Sequence, residues 1–270
     1  MKRDRLALWV WYRGDRFQGW QSQGTGRSVQ EHLAAGLAVH GISGSPMGAG
    51  RTDRGVHARC QPVSVRLRRG TSLEAVRDVG GQGWGVAAAA LAPDGFHAQW
   101  SSVSKEYRYR LALGPVPERW SAHAWDPSTH PRIAGARVDR SAARWALERA
   151  LGTRDFSALH AASSVRRPRT LQAVHWTEAG ALIEIGLVGN AFGRYGVRLL
   201  VGGAVLVGAG VVAPAAWERA LDEAARFEGL RAPAAALTLW AVGYPPPLDP
   251  FATAAPRLPG SPPFVAVDQA

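Results

Sequence analysis

The chain has 270 residues, 46% of them hydrophobic, which is enough for two modest domains or one large one with a substantial core. Its formal net charge of +11 at pH 7 favours a polyanionic partner, most simply nucleic acid. A single cysteine, Cys60, excludes an intrachain disulfide and a Cys-based zinc site, and it suits a reducing compartment.

No segment predicts a membrane or export function. Residues 199–213 are strongly apolar but too short to span a bilayer comfortably, and their glycines indicate a buried helix. The first residues lead directly into a strand-like run without the apolar core of a signal peptide. We therefore expect a cytoplasmic protein without a membrane partner.

The N-terminal elements follow from apolar periodicity. Residues 6–12 alternate as a strand does, and residues 63–67 predict a second strand. A helix is predicted to begin at Ser28, with Glu31 three residues later completing a capping box. Residues 71–94 contain four glycines and an alanine run, and their pattern indicates no clear element.

The second half adds a strand, a helix, a hairpin, two helices and a last strand. In chain order we predict them at 107–113, at 139–152, at 174–185, at 199–213, from Pro214, and at 237–244. This order predicts an α+β fold, a mainly antiparallel mixed sheet with helices packed on it, in two loosely similar halves. We expect the halves at 1–104 and 105–245, and a Pro-rich tail at 246–270 that is extended or disordered.

The most informative motif is Gly50 to Ala58, Gly-Arg-Thr-Asp-Arg-Gly-Val-His-Ala. It places Asp53 beside a guanidinium in a short turn bounded by glycines, outside any amphipathic helix, and no second carboxylate or histidine precedes it at metal-ligand spacing. This arrangement suits a nucleophile or base that stays ionised. The structural alternative is an Asx-turn or a helix cap.

Other catalytic signatures are absent from the sequence. Residues 24–26 lack the third glycine of a dinucleotide fingerprint, and the chain contains no Walker lysine. No two histidines have metal-ligand spacing, and no serine lies in a Gly-x-Ser-x-Gly elbow.

Several short blocks, in order along the chain, resemble the TruA family, the tRNA pseudouridine(38–40) synthases of the anticodon stem-loop. The blocks that carry the resemblance lie at residues 12–21, 28–31, 50–58, 96–98, 105–109, 155–158, 197–208 and 237–245. One such block is a weak signal, whereas eight in the family's order are specific. The resemblance implies the pseudouridine synthase fold, no cofactor and no metal, and a homodimer with tRNA lying across both subunits.

The resemblance also implies roles. Asp53 would be the nucleophile that attacks the target uridine at its base or its sugar, and Arg198 would pair with it and keep it ionised. Tyr107 would pack against the uracil and assist the final proton removal, while Arg51 would stabilise the flipped nucleotide. Leu237 would line the pocket. On pattern alone, Tyr107 and Leu237 read as core residues and Arg198 as a helix cap.

Four further basic residues are expected to bind substrate. Lys105 belongs to one of the matching blocks, and Arg166, Arg167 and Arg169 form a basic loop suited to the tRNA backbone. A solvated charged loop explains the three arginines equally well.

Some positions depart from the family's pattern. Arg54 replaces a small residue after the aspartate, Gln99 replaces an arginine, and no Asn-Leu-Pro-type block occurs at 80–93. Around residue 198, Gly193, Tyr195 and Gly196 stand where Leu, His and Met are usual. The alternative to an active enzyme is a catalytically weak tRNA-binding or tRNA-folding protein on the same scaffold.

Overall fold

The structure is a computed structural model that describes residues 5–67, 72–161 and 166–269. The chain forms two compact units. The first comprises Met1–Lys105 and Thr238–Phe264, and the second comprises Glu106–Leu237 and Val265–Ala270. The division after residue 105 resembles the expected one, but the last strand and most of the tail belong to the first unit.

The described ranges contain the following strands and α-helices, and each kind is numbered in chain order. The strands are β1 (Arg5–Tyr12), β2 (Met47–Gly48), β3 (His57–Arg66), β4 (Gly80–Gly81), β5 (Trp84–Leu91), β6 (Ser104–Ala112), β7 (Gly152–Arg154), β8 (Arg169–Ala179), β9 (Leu182–Gly189) and β10 (Leu237–Gly243). The α-helices are α1 (Val29–Val39), α2 (Leu73–Arg77), α3 (Glu118–Ser121), α4 (Arg140–Glu148), α5 (Gly196–Gly208) and α6 (Pro214–Asp222).

In the first unit the strand order is β4-β5-β1-β3-β10, and β2 also pairs with β3. β1 is antiparallel to both β3 and β5, whereas β10 runs parallel to β3. In the second unit the order is β6-β9-β8-β7, with antiparallel pairing of β7 to β8 and of β8 to β9. The predicted α+β class, with a mainly antiparallel mixed sheet, is confirmed.

The helix starts were predicted correctly because they depend on local chemistry. Ser28 and Glu31 form the complete capping box of α1, Asp139 accepts a hydrogen bond from the Ala142 amide at the start of α4, and Pro214 opens α6. The apolar helix α5 is buried along most of its length. Within the described ranges, no helix has both the length and the apolar character needed to cross a membrane.

The alanine run that the sequence left unassigned forms β5. Its small side chains are required by their neighbours, since Ala88 packs with Ala7 of β1 and the large ring of Phe96 in one buried cluster. At the start of the strand, a Cβ on Gly85 would lie 3.0 Å from Nε1 of Trp11. Tertiary packing therefore overrides the low strand propensity of alanine and glycine.

The tail, expected to be extended or disordered, has little regular secondary structure, and its described residues pack onto β1. Phe251 and Phe264 are 9% and 4% exposed, and their rings pack edge-on against Trp9 and Trp11 of β1. The carbonyl of Phe264 also accepts a hydrogen bond from Nε of Arg59. Two aromatic residues far apart in this proline-rich segment thus hold it on the first unit. Their spacing follows no helix or strand period, so the sequence pattern gave no signal of it.

We predict that Phe264→Ala lowers the free energy of unfolding by about 3 kcal/mol, because it removes a buried aromatic ring from its contact with Trp11. Urea denaturation followed by circular dichroism measures the change. The exposed Thr253→Ala in the same tail is the matched control. Equal stability of the two variants would contradict a structural role for the tail.

Candidate active site and family

Asp53 occupies the first position of a tight turn. The amide of Val56 donates to the carbonyl of Asp53 at 3.1 Å, and Gly55 adopts a φ of +86°, a conformation that favours glycine. β3 begins at His57 directly afterwards, and no helix starts at Asp53. The helix-cap alternative is therefore wrong, and the glycine-bounded turn expected from the sequence is present.

Gly14 supports this turn from one side by direct backbone contact. Its carbonyl accepts from the Gly55 amide at 3.2 Å, and its own amide donates to Nδ1 of His57 at 3.1 Å. A Cβ on Gly14 would overlap the carbonyl of Val56. The accepting nitrogen belongs to a fully buried histidine, so this bond lies in the interior of the unit.

Thr52 anchors the turn from the other side. Its carbonyl accepts from the Trp20 amide at 3.1 Å, and its buried hydroxyl lies 2.7 Å from the hydroxyl of Tyr12. Gly19, with a φ of +95°, lies so close that a Cβ there would be 2.8 Å from the Thr52 carbonyl. The residue preceding Asp53 is therefore held by three separate contacts.

Gln61 of β3 completes the support and was missed by the sequence reasoning. Its Nε2 donates to the carbonyl of Gly50 at 2.6 Å, and its Oε1 accepts from the Gly50 amide at 3.3 Å. The side chain is fully buried. A glutamine between apolar strand positions was the available signal, because buried amides are normally hydrogen-bonded.

The charged groups of this turn differ in exposure. Asp53 is half-buried, whereas Arg51 and Arg54 are exposed, so Arg54 does not fill the interior of the turn. Nearby, burial raises the pKa of Asp15, but the hydrogen bond and charge of Arg13 outweigh it and bring that pKa below its ordinary value. The turn thus presents the carboxylate of Asp53 between the exposed side chains of Arg51 and Arg54 in the sequence.

Cys60, the single cysteine, does not compete as a nucleophile. The side chain is 4% exposed, and burial raises the pKa of its thiol to about 12. The thiolate is the reactive form, so this group is inert at neutral pH.

In the second unit, Tyr107 lies on β6 and is 8% exposed, with its ring edge-on to Phe192 at 5.4 Å between centroids. Leu237, the first residue of β10, is 4% exposed. Burial of this kind fits both a core residue and the wall of a pocket. Burial also raises the pKa of Tyr109, two residues along the same strand, well above its ordinary range.

Arg198 lies in the first turn of α5, where its Nε donates to the carbonyl of Ala232 at 2.6 Å. Its guanidinium also lies 5.6 Å from the ring centroid of Tyr195, the residue that precedes the helix. The side chain is half-buried, and the bond to Ala232 anchors it to a neighbouring segment.

The basic loop is only partly as expected. Arg166 and Arg167 are exposed, but Arg169 is 6% exposed and lines a small cavity with Phe156 and Phe192. Burial, together with the charge of Arg167, lowers the pKa of Arg169. The expected contact of these arginines with the tRNA backbone stays a prediction, and of the three only Arg166 and Arg167 are exposed in this structure.

Lys105 is half-buried, and its Nζ donates to the hydroxyl of Ser102 at 3.2 Å. The structure thus brings Arg51 and Asp53 together in one turn of the first unit. Lys105 is the last residue of the N-terminal segment of that unit. Tyr107, Arg198 and the basic loop belong to the second unit.

Comparison with known proteins identifies the class. A family model described as tRNA pseudouridine synthase matches residues 146–245. The chain is 35% identical over 251 residues to tRNA pseudouridine synthase A of Beijerinckia indica, covering 89% of this chain and 94% of that protein. It is 38% identical over 256 residues to the protein of that name from Bordetella petrii, covering 90% and 92%. For the Roseiflexus sp. protein the identity is 37% over 252 residues, covering 89% and 90%.

These matches define the class as pseudouridine synthases, which are isomerases. Within that class, the chain belongs to the tRNA pseudouridine synthase A family. The resemblance drawn from the ordered sequence blocks is thereby confirmed.

We predict that Gly14→Ala displaces the Asp53 turn, because the added Cβ overlaps the Val56 carbonyl. The expected result is faster amide hydrogen exchange at residues 52–56 and lower stability. Gly260→Ala is the matched control, since a Cβ there meets no atom within 4 Å. Unchanged exchange in the Gly14 variant would show that the close approach does not hold the turn.

Proposed function

We propose that this protein converts uridine to pseudouridine in tRNA, at positions 38–40 of the anticodon stem-loop, with Asp53 as the nucleophile. Membership of the tRNA pseudouridine synthase A family supports the reaction and its substrate class. The observation that carries the choice of nucleophile is the turn itself, in which an aspartate is held by backbone contacts from both sides.

The reaction rearranges bonds without any net gain or loss of atoms. The nitrogen–carbon glycosidic bond breaks, the uracil turns, and a carbon–carbon bond to the sugar forms. The proton leaves the carbon that forms the new bond, and a proton is taken up at the released nitrogen. An ionised carboxylate first forms a covalent bond to the base or the sugar, and that bond breaks again before pseudouridine is released, which regenerates the free aspartate.

Preorganisation of the carboxylate is what the turn contributes. Hydrogen bonds to Thr52 and Gly50 hold the chain before the attacking group, and the bond from the Gly55 amide to the Gly14 carbonyl holds it afterwards. A nucleophile that is already in place loses less freedom when the substrate binds, which lowers the barrier to attack. A flexible surface aspartate would lack this advantage.

The remaining residues keep the roles that the resemblance implies. The exposed Arg51 stabilises the nucleotide flipped out of the stem, a step that costs a few kcal/mol. Tyr107 packs against the uracil and assists the last proton transfer, Arg198 keeps the nucleophile ionised, and Leu237 lines the pocket. Arg166 and Arg167, both exposed, contact RNA phosphates together with Lys105.

We predict that Asp53→Asn abolishes pseudouridine formation in unmodified tRNA transcripts while tRNA binding persists, because the amide lacks the nucleophilic charge at nearly the same size. Product is mapped by position along the transcript. Asp78→Asn is the control, since Asp78 is exposed and pairs only loosely with Arg257 at 3.6 Å.

Three results would each contradict part or all of this proposal. Product outside positions 38–40 would refute the proposed target. Full activity of the Asp53 variant would refute the nucleophile. If the unaltered protein binds tRNA but forms no pseudouridine, the alternative of a tRNA-folding protein replaces the enzyme.

The family resemblance further supports a homodimer, with tRNA lying across two subunits, and a cytoplasmic location. We expect light scattering during size-exclusion chromatography to give twice the 28.8 kDa mass of one chain. A monomeric mass at micromolar concentrations, both with and without tRNA, would contradict the dimer.

A further inference from the structure

Three arginines gather around one tyrosine ring in the second unit. The guanidinium carbons of Arg194, Arg198 and Arg231 lie 4.8, 5.6 and 4.5 Å from the ring centroid of Tyr195. Each distance is within the range of cation–π attraction. We call these four residues the Tyr195 cluster. The cluster concentrates positive charge at the start of α5 in a protein that already carries a large positive excess.

Arg231 reaches this ring because hydrogen bonds attach its segment to α5. Nε of Arg198 donates to the carbonyl of Ala232 at 2.6 Å, and the amide of Ala232 donates back to the carbonyl of Arg198 at 3.1 Å. One turn further along, a Cβ on Gly202 would overlap the carbonyl of Leu230. Glycine at this helix position therefore permits the approach that places Arg231 beside Tyr195.

Tyr195 itself has an unusual backbone. Its φ is +65°, in the left-handed region that residues other than glycine and asparagine seldom adopt. Such conformations persist where surrounding structure imposes them, and they concentrate at binding and catalytic sites. The ring is half-buried and is thus held in a defined position among the guanidinium groups.

Two of the three cations remain accessible to a ligand. Arg194 and Arg231 are exposed, and Arg231 makes no ion pair with an acidic side chain in the described part of the chain. A planar guanidinium offers two parallel donors that match the oxygens of a phosphate. A phosphate would also offset the mutual repulsion of the three like charges.

We propose that the Tyr195 cluster binds a phosphodiester group of the tRNA backbone, with Arg231 in direct contact and the Tyr195 ring holding the guanidinium groups in place. The identity of the RNA rests on the proposed function. The family resemblance gives a role only to Arg198, and Tyr195 stands where the family usually has a histidine. A phosphate suits the cluster better than a stacked base, because guanidinium groups already surround the ring.

Affinity of the full chain for an unmodified tRNA transcript, measured over a series of salt concentrations, tests this inference. Each lost phosphate contact lowers the slope of log affinity against log salt by about one. We expect that reduction, with weaker binding, for Arg231→Ala, whereas Arg231→Lys retains the slope. Arg144→Ala is the control, since that exposed arginine pairs with Glu148 on the same helix.

Variants of the ring separate its role from that of the charge. Tyr195→Asn removes the ring but tolerates the left-handed backbone, and we expect it to lose salt slope as Arg231→Ala does. Tyr195→Phe keeps the ring and should bind as the unaltered protein does. If Tyr195→Asn binds normally, the ring does not organise the cluster and that part of the inference is overturned.

The binding measurement is independent of turnover, so the two proposals fail separately. An Arg231→Ala variant with the same slope and affinity as Arg144→Ala overturns the phosphate contact, whether or not the enzyme is active. Weaker binding with an unchanged slope also overturns it, because the lost contact is then not ionic. If the unaltered protein forms no pseudouridine while Arg231 still sets the slope, the proposed activity fails and the phosphate contact stands.

Discussion

The structure of the candidate site depends on one constraint, the direct approach of two backbone segments with no side chain between them. Gly14 and Gly19 lie so close to the Asp53 turn that neither position can accommodate a Cβ without displacing it. The amide of Gly55 is thereby paired with the carbonyl of Gly14. Because these contacts use backbone atoms, they fix the position of Asp53 whatever its carboxylate binds. A nucleophile can thus be held rigidly while its reacting group is reserved for substrate.

The second unit fixes its candidate residue by a different means, a buried ionic cluster. Arg110 is fully buried and lies 2.8 Å from one oxygen of Glu184, while Arg108 lies 2.8 Å from the other. Burial lowers the pKa of Arg110 to about 10, which still leaves it charged at neutral pH. The cluster joins β6 to its neighbour β9, and a shift of β6 by one residue would turn Tyr107 to the opposite face of the sheet. Removing Glu184 would take away the carboxylate beside the buried Arg110, at a cost of roughly 3–5 kcal/mol.

The parts of this fold that the sequence predicted are those in which neighbouring residues determine the outcome. The capping box at Ser28, the aspartate cap at Asp139 and the proline at the start of α6 each satisfy backbone groups within a few residues. The parts that were missed depend on distant partners. Ala88 of β5 packs in one cluster with Phe96, and the buried tail packs against the tryptophans of β1. Nothing in the local pattern of either segment specifies these neighbours.

The same distinction applies to the candidate site. Asp53 was visible because its turn is encoded by glycines adjacent in sequence, whereas Gln61 and Tyr12 act on that turn from two strands that meet only in the folded sheet. Tyr195 is a stronger example. As a sequence position it appeared only as a departure from the family pattern, and its meaning depends on Arg231, 36 positions along the chain, which hydrogen bonds between its segment and α5 bring to its ring. A residue that departs from a family motif can therefore act together with a second residue that is remote in the sequence. Departures of this kind are better judged by what the fold places beside them than by their distance from a consensus.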